Sequence, residues 1–196
     1  LDTDGTFLEK LDRASEDAIL AEALAGGRGD RLAALAGRQL ELVEAVERLP
    51  LTLTHGDMQL ANMIAPGGSA ERTVLMDWHF SGSQPIGYDV ANLVGFCLSN
   101  RRPAAGSLRQ TAEQMFEAYV VGARRAGCDD EDAVRFGCLG HLALYTTIGT
   151  ARSMLNRAEQ GHHSYIDDPK LREESIRRGT EALDCLLALT EPVWQG

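Results

Sequence analysis

Positive charge is in short supply in this sequence. Lys and Arg total 19 against 29 Asp and Glu, a formal net charge of −10 at pH 7. Phosphate backbones are held by clustered Lys and Arg, so the balance argues against nucleic acid as a partner. It would tolerate a cationic ligand without naming one. Paired cysteine motifs are also lacking. Cys97, Cys128, Cys138 and Cys185 are scattered with no CxxC, so neither a zinc ribbon nor a dithiol redox site is legible. Cys97, Cys138 and Cys185 lie in apolar helical stretches and read as core residues. No long apolar run is present. The most apolar stretch, residues 133–151, carries Arg135, His141, three glycines and three threonines, which reads as a buried helix and not a membrane span. The opening Leu1-Asp2-Thr3-Asp4-Gly5 has no leader pattern, so the expectation is a soluble, cytoplasmic protein.

What is there is enough for one good core: 196 residues, 44% of them hydrophobic. Helical patterns dominate. Residues 7–24 are moderately periodic and run into the breaker Gly26-Gly27-Arg28-Gly29. Asp30 is then expected to cap a second helix. Leu35, Leu42, Val46 and Leu49 line its stripe, Leu32, Leu40 and Val43 widen it, and Pro50 ends it. Further helices are expected over 89–99, 108–127, 131–156 and 170–189, the last with Asp168 at its cap and Pro169 at its first position. Between the two helical blocks the pattern changes. Leu51-Thr52-Leu53-Thr54 alternates like a strand, and Met63-Ile64-Ala65 and Thr73-Val74-Leu75-Met76 are two more short runs, separated by the turn Pro66-Gly67-Gly68-Ser69. The fold class is therefore α+β, predominantly helical, with a small β insert.

The polar residues gather where those β-like runs end. His55-Gly56-Asp57-Met58-Gln59-Leu60-Ala61-Asn62 follows the first, with Asp57 and Asn62 five apart. Fifteen residues beyond Asn62, the run Val74-Leu75-Met76 delivers Asp77-Trp78. An ionised Asp can accept a hydrogen bond from a hydroxyl and orient it for attack. An Asn carbonyl and a second carboxylate are hard oxygen ligands suited to Mg²⁺, which keeps several waters and bridges phosphates. Phosphoryl transfer asks for little more than such positioning and charge neutralisation.

His55-x-Asp57-x-x-x-x-Asn62 followed by Asp77-Trp78 resembles the catalytic and metal loops of aminoglycoside phosphotransferases and choline kinase-like enzymes, small-molecule relatives of the protein kinases. Gly87-Tyr88-Asp89-Val90-Ala91 is similar to the segment that opens the family's next helix. The resemblance implies the C-terminal lobe of a protein-kinase-like fold, spanning residues 1–196. It implies that Asp57 orients or deprotonates a substrate hydroxyl, and that Asn62 and Asp77 bind Mg²⁺ on the phosphates of ATP or GTP. His55 would buttress the catalytic loop, and Asp89 would tie its backbone in place. The acceptor, a small molecule with a hydroxyl, stays unidentified, its pocket expected within residues 92–168. The family's nucleotide-binding lobe is expected to be absent from this chain: upstream of His55 the only lysine is Lys10, in a helical stretch, and no Gly-rich loop of the right spacing precedes it.

Other readings of the same residues stay open here. The lobe could serve as a binding module or pseudokinase. His55, Asp57, Asp77 and His79 could be written as the metal cluster of a hydrolase, although no HExxH-like pair accompanies them. Trp78 reads as core packing. His162-His163 with Asp167 and Asp168 reads as a polar loop, and Asp129-Asp130-Glu131-Asp132 as a solvated helix start.

Overall fold

A computed structural model describes residues 6–68, 72–99, 107–159 and 169–195. Two compact units emerge, residues 1–43 with 143–196, and residues 44–142. The His162/His163/Asp167/Asp168 loop lies outside the described residues. No described helix is long and apolar enough to cross a membrane.

The first unit is all helical: α1 (Thr6–Arg13), α2 (Ala18–Leu24), α3 (Arg28–Gly37), α4 (Gln39–Glu47, which leads into the second unit), α8 (Ile148–Glu159) and α9 (Pro169–Trp194). Phe7, Leu32, Leu35, Leu155, Leu183 and Leu187 form its fully buried centre. The expected helix over 7–24 is interrupted because Asp17 is extended and caps α2, its carboxylate accepting from the Ile19 and Leu20 N–H groups. Asp30 is not a cap. Gly27, at φ +81°, ends the turn so that α3 starts at Arg28 and Asp30 sits in its first turn. The stripe from Leu35 to Val46 belongs to two helices, since the chain breaks at Arg38, and Leu49 lies just beyond α4. That break leaves Leu40 exposed, whereas Leu32, Leu35, Leu42 and Val46 are buried. α9 runs beyond residue 189 to Trp194, whose ring is buried with its indole N–H on the Thr190 hydroxyl, while Arg38 donates to the Trp194 carbonyl.

The second unit holds β1 (Leu51–Thr54), β2 (Met63–Ile64), β3 (Val74–Leu75), β4 (Gly82–Pro85), α5 (Tyr88–Ser99), α6 (Leu108–Arg125) and α7 (Glu131–His141). Its two sheets are antiparallel pairs: β1 on β4 with Leu51 opposite Pro85 and Thr54 opposite Gly82, and β2 on β3 with Met63 opposite Leu75. β4 carries no local strand signal, being Gly-Ser-Gln-Pro; its pairing with β1 imposes the conformation. In β1 the hydroxyl side chains turn inward. Thr54 is buried, whereas Leu51 and Leu53 are 66% and 75% exposed. The long helix expected over 131–156 is interrupted by a π-helical stretch, Leu142–Thr147, that includes Thr146 and Thr147. Cys97 and Cys138 are buried as expected, and Cys185 is half-buried; none of the four cysteines is in a disulfide.

α7 carries a buried histidine. His141 packs edge-on against Tyr88, ring centroids 5.2 Å apart. Burial pushes its pKa from 6.5 down to about 4, against the opposing pull of the Pro85 carbonyl. The folded state therefore holds the ring neutral, and the unfolded chain takes up the proton first as pH falls. Stability is fully present above about pH 6.5 and declines toward pH 4. Between pH 7 and pH 5 the protein is expected to lose about 2 kcal/mol more than its His141→Gln variant. Urea unfolding at the two pH values checks this, and parallel losses in the two proteins would refute it.

Candidate active site

The site is built in the second unit, on the loops that follow β1 and β3. β1 delivers buried His55 and then Gly56 at φ +82°, where a Cβ would overlap the Phe80 carbonyl oxygen. Glycine is needed here on both counts, and the loop after β1 thereby lies directly against the turn after β3.

His55 joins the two loops. Its Nε2 is 2.6 Å from the Met76 carbonyl, the last before Asp77, and its Nδ1 accepts from the Asp57 N–H at 3.3 Å. Donating on one side and accepting on the other assigns the proton to Nε2. The Asn62 carbonyl accepts from the Met76 N–H at 2.9 Å, which continues the β2–β3 ladder to the threshold of both loops. Asp89, in the first turn of α5, reaches the loop after β1: its two carboxylate oxygens accept from the His55 N–H at 2.7 Å and the Gly56 N–H at 3.0 Å.

Asp57 is half-buried. Its Oδ2 accepts from Gln59 Nε2 at 2.8 Å and from Asn62 Nδ2 at 2.9 Å; the same Asn62 nitrogen also donates to the Asp57 carbonyl. Both protons of the Asn62 amide are committed, which leaves its Oδ1 as the lone-pair atom of that side chain open to a cation. Asp77 is exposed and sits at φ 60°, ψ 62°, the one non-glycine residue at positive φ among those described. Such strain persists where the surrounding structure enforces it. Its carboxylate caps nothing in the 3₁₀ turn it opens. An amide oxygen and an uncommitted carboxylate fit Mg²⁺, which takes one or two protein oxygens and completes its shell with waters and phosphates.

Two expectations fail. Trp78 is not core: it is 47% exposed, because the 3₁₀ turn Trp78–Phe80 keeps it at the surface, with its indole N–H on the Leu75 carbonyl and its ring 4.9 Å from His55. The hydrolase cluster does not assemble. Both nitrogens of His55 are engaged, His79 is exposed with its ring edge-on to Phe80, and no group of three His, Cys, Asp or Glu among the described residues could hold a metal. Asp130 does cap α7, accepting from the Ala133 N–H. Gln59 is the residue sequence reasoning missed. Its only signal is its place two positions after Asp57.

No curated protein matches this chain. A model of the phosphotransferase enzyme family (APH) matches residues 1–135, a span that contains His55, Asp57, Asn62, Asp77 and Asp89. With more than half of its length matched, the chain belongs to the phosphotransferase enzyme family.

Proposed function

We propose that this chain supplies the acceptor-activating and metal-binding half of a small-molecule kinase that transfers the γ-phosphoryl group of ATP or GTP to a substrate hydroxyl. The observation that carries the reading is the joining of two loops through His55, which sets Asp57 and Asn62 beside the strand end that presents Asp77. In that reaction the acceptor oxygen forms a bond to the γ-phosphorus as the bond to the β–γ bridging oxygen breaks. The nucleoside diphosphate leaves, and the hydroxyl proton passes toward Asp57. Mg²⁺ held by Asn62 Oδ1 and Asp77 would neutralise charge on the phosphates. Asp57 aims the hydroxyl; Asn62 holds Asp57; Asp89 and His55 hold the loop.

The nucleotide and the lobe that grips it are proposed to lie over the outward apolar side chains of the strands. Leu51, Leu53, Ile64, Val74 and Met76 are all exposed, an arrangement that a water-facing surface does not favour. The acceptor is proposed to be a small molecule bearing a hydroxyl group.

The full gene product, given γ-labelled ATP or GTP with Mg²⁺ and a panel of hydroxyl compounds, is expected to transfer label. Asp57→Ala should lower kcat by about 10²–10⁴-fold, the usual worth of a positioned acid or base. Undiminished transfer by that variant would sink the assignment.

A further inference from the structure

The two oxygens of Asp57 are not equivalent. Oδ2 accepts from two amide nitrogens, Gln59 Nε2 at 2.8 Å and Asn62 Nδ2 at 2.9 Å, whereas no hydrogen bond reaches Oδ1 from any described residue. Asn62 fixes the carboxylate to its own loop, because its remaining amide proton is on the Asp57 carbonyl. Gln59 is different. Its backbone carbonyl accepts from the Asn62 N–H, whereas its side chain bonds only to the Asp57 carboxylate among the described residues, a contact purely side chain to side chain. A carboxylate anchored by one amide alone keeps rotational freedom about its terminal torsion; a second donor on the same oxygen removes it.

We infer that Gln59 is a positioning residue that presents Asp57 Oδ1, and not Oδ2, to the acceptor hydroxyl. The inference rests on the phosphotransfer reading above. By occupying the second acceptor direction of Oδ2, Gln59 makes Oδ1 the one oxygen with lone pairs to spare, so the incoming O–H has a single, directed partner. Small losses of alignment at a reacting centre are costly, of order 10²-fold per ångström. Gln59 therefore acts on kcat through Asp57 and leaves substrate affinity alone.

Three variants separate this role from mere support of the loop. Gln59→Leu removes the donor with little change of bulk. Gln59→Glu keeps the shape but sets an acceptor against the Asp57 carboxylate. Gln59→His restores an N–H donor at a shorter reach. In the full gene product, Gln59→Leu and Gln59→Glu are expected to lower kcat by about 10- to 100-fold with both KM values and Tm nearly unchanged, and Gln59→His to recover most of the loss. A loss that tracks Tm or KM, or unchanged kcat in Gln59→Leu, overturns the inference. A second measurement needs no turnover: the Gln59 side-chain amide protons, followed by NMR, should exchange slowly in the wild type and fast in Asp57→Ala. Equal exchange in the two proteins overturns the inference whatever the activity. Slow exchange in a wild type that transfers no phosphoryl group to any acceptor defeats the kinase reading and, with it, Gln59's role there, while leaving the Gln59–Asp57 bond established.

Discussion

Asp89→Ala is expected to cost about 3–5 kcal/mol of stability and most of the activity together. In the proposed reaction Asp89 would contribute no atom to the reacting groups, yet its carboxylate accepts from two successive backbone N–H groups, those of His55 and Gly56. Each charge-assisted bond is worth about 1.5–3 kcal/mol, and removing the acceptor leaves the buried His55 N–H without a partner. The loop then loses the restraint that keeps Gly56 against the Phe80 carbonyl and Asp57 beside Asn62, so kcat should fall by about 10²-fold as well. Asp89→Asn is no conservative replacement here. An amide offers one acceptor and turns its NH₂ toward the second backbone N–H, so at least one bond is lost and a donor faces a donor. Denaturant unfolding and kcat, measured on both variants, decide the matter. Wild-type stability in Asp89→Asn would show that the two hydrogen bonds do not hold the loop.

How much of this was legible in the sequence depends on whether the cause is local. β1 and the loop after it could be read because Leu51-Thr52-Leu53-Thr54 alternates and His55-Gly56-Asp57 follows at once. Asp57, Asn62 and Asp77 could be picked out by residue type and spacing, and the structure gathers their loops through His55. β4 could not be read, since its strand character comes from pairing with β1 some thirty residues away and its own residues oppose it. The breaks at Asp17, Arg38 and Leu142 were hidden for another reason. Apolar periodicity survives a short interruption that keeps the helical sense, whether one residue at Arg38 or a 3₁₀ or π turn, so two shorter helices read as one long one. The direction of β1 misleads in the same way. Alternation reports that two faces differ, and only the structure shows that the leucine face of β1 is the outward one. Gln59 carries no pattern at all; a bond between two side chains two residues apart leaves no trace in periodicity or spacing.

Gly137→Ala should destabilise the protein by about 2 kcal/mol or more, although the same substitution at Gly149 should be neutral or stabilising by up to about 1 kcal/mol. Both glycines lie inside helices, α7 and α8, where alanine is favoured by about 1 kcal/mol. Space decides the sign. Nothing lies within 4 Å of a Cβ at Gly149, whereas one at Gly137 would overlap the Ile86 carbonyl oxygen and approach Leu49 Cδ1 at 3.1 Å. The obstacle is backbone and cannot rotate away, so the α7 surface and the segment before α5 must separate, at the cost typical of an overpacked core. That segment is held tightly from the other side as well. Gly87 stands at φ +95° with its own Cα against the Gly137–Cys138 backbone, and its N–H donates to the Tyr119 hydroxyl at 3.2 Å. Two residues further on, α5 presents Asp89 to the loop that carries Asp57. A methyl group on α7 thus displaces a carboxylate that holds the loop carrying Asp57, and Gly137→Ala is expected to lower kcat along with the unfolding midpoint, whereas Gly149→Ala lowers neither. If Gly137→Ala unfolds like the wild type, α7 has room to spare at this point, and the close approach of Gly87 to Gly137 is not what seats Asp89.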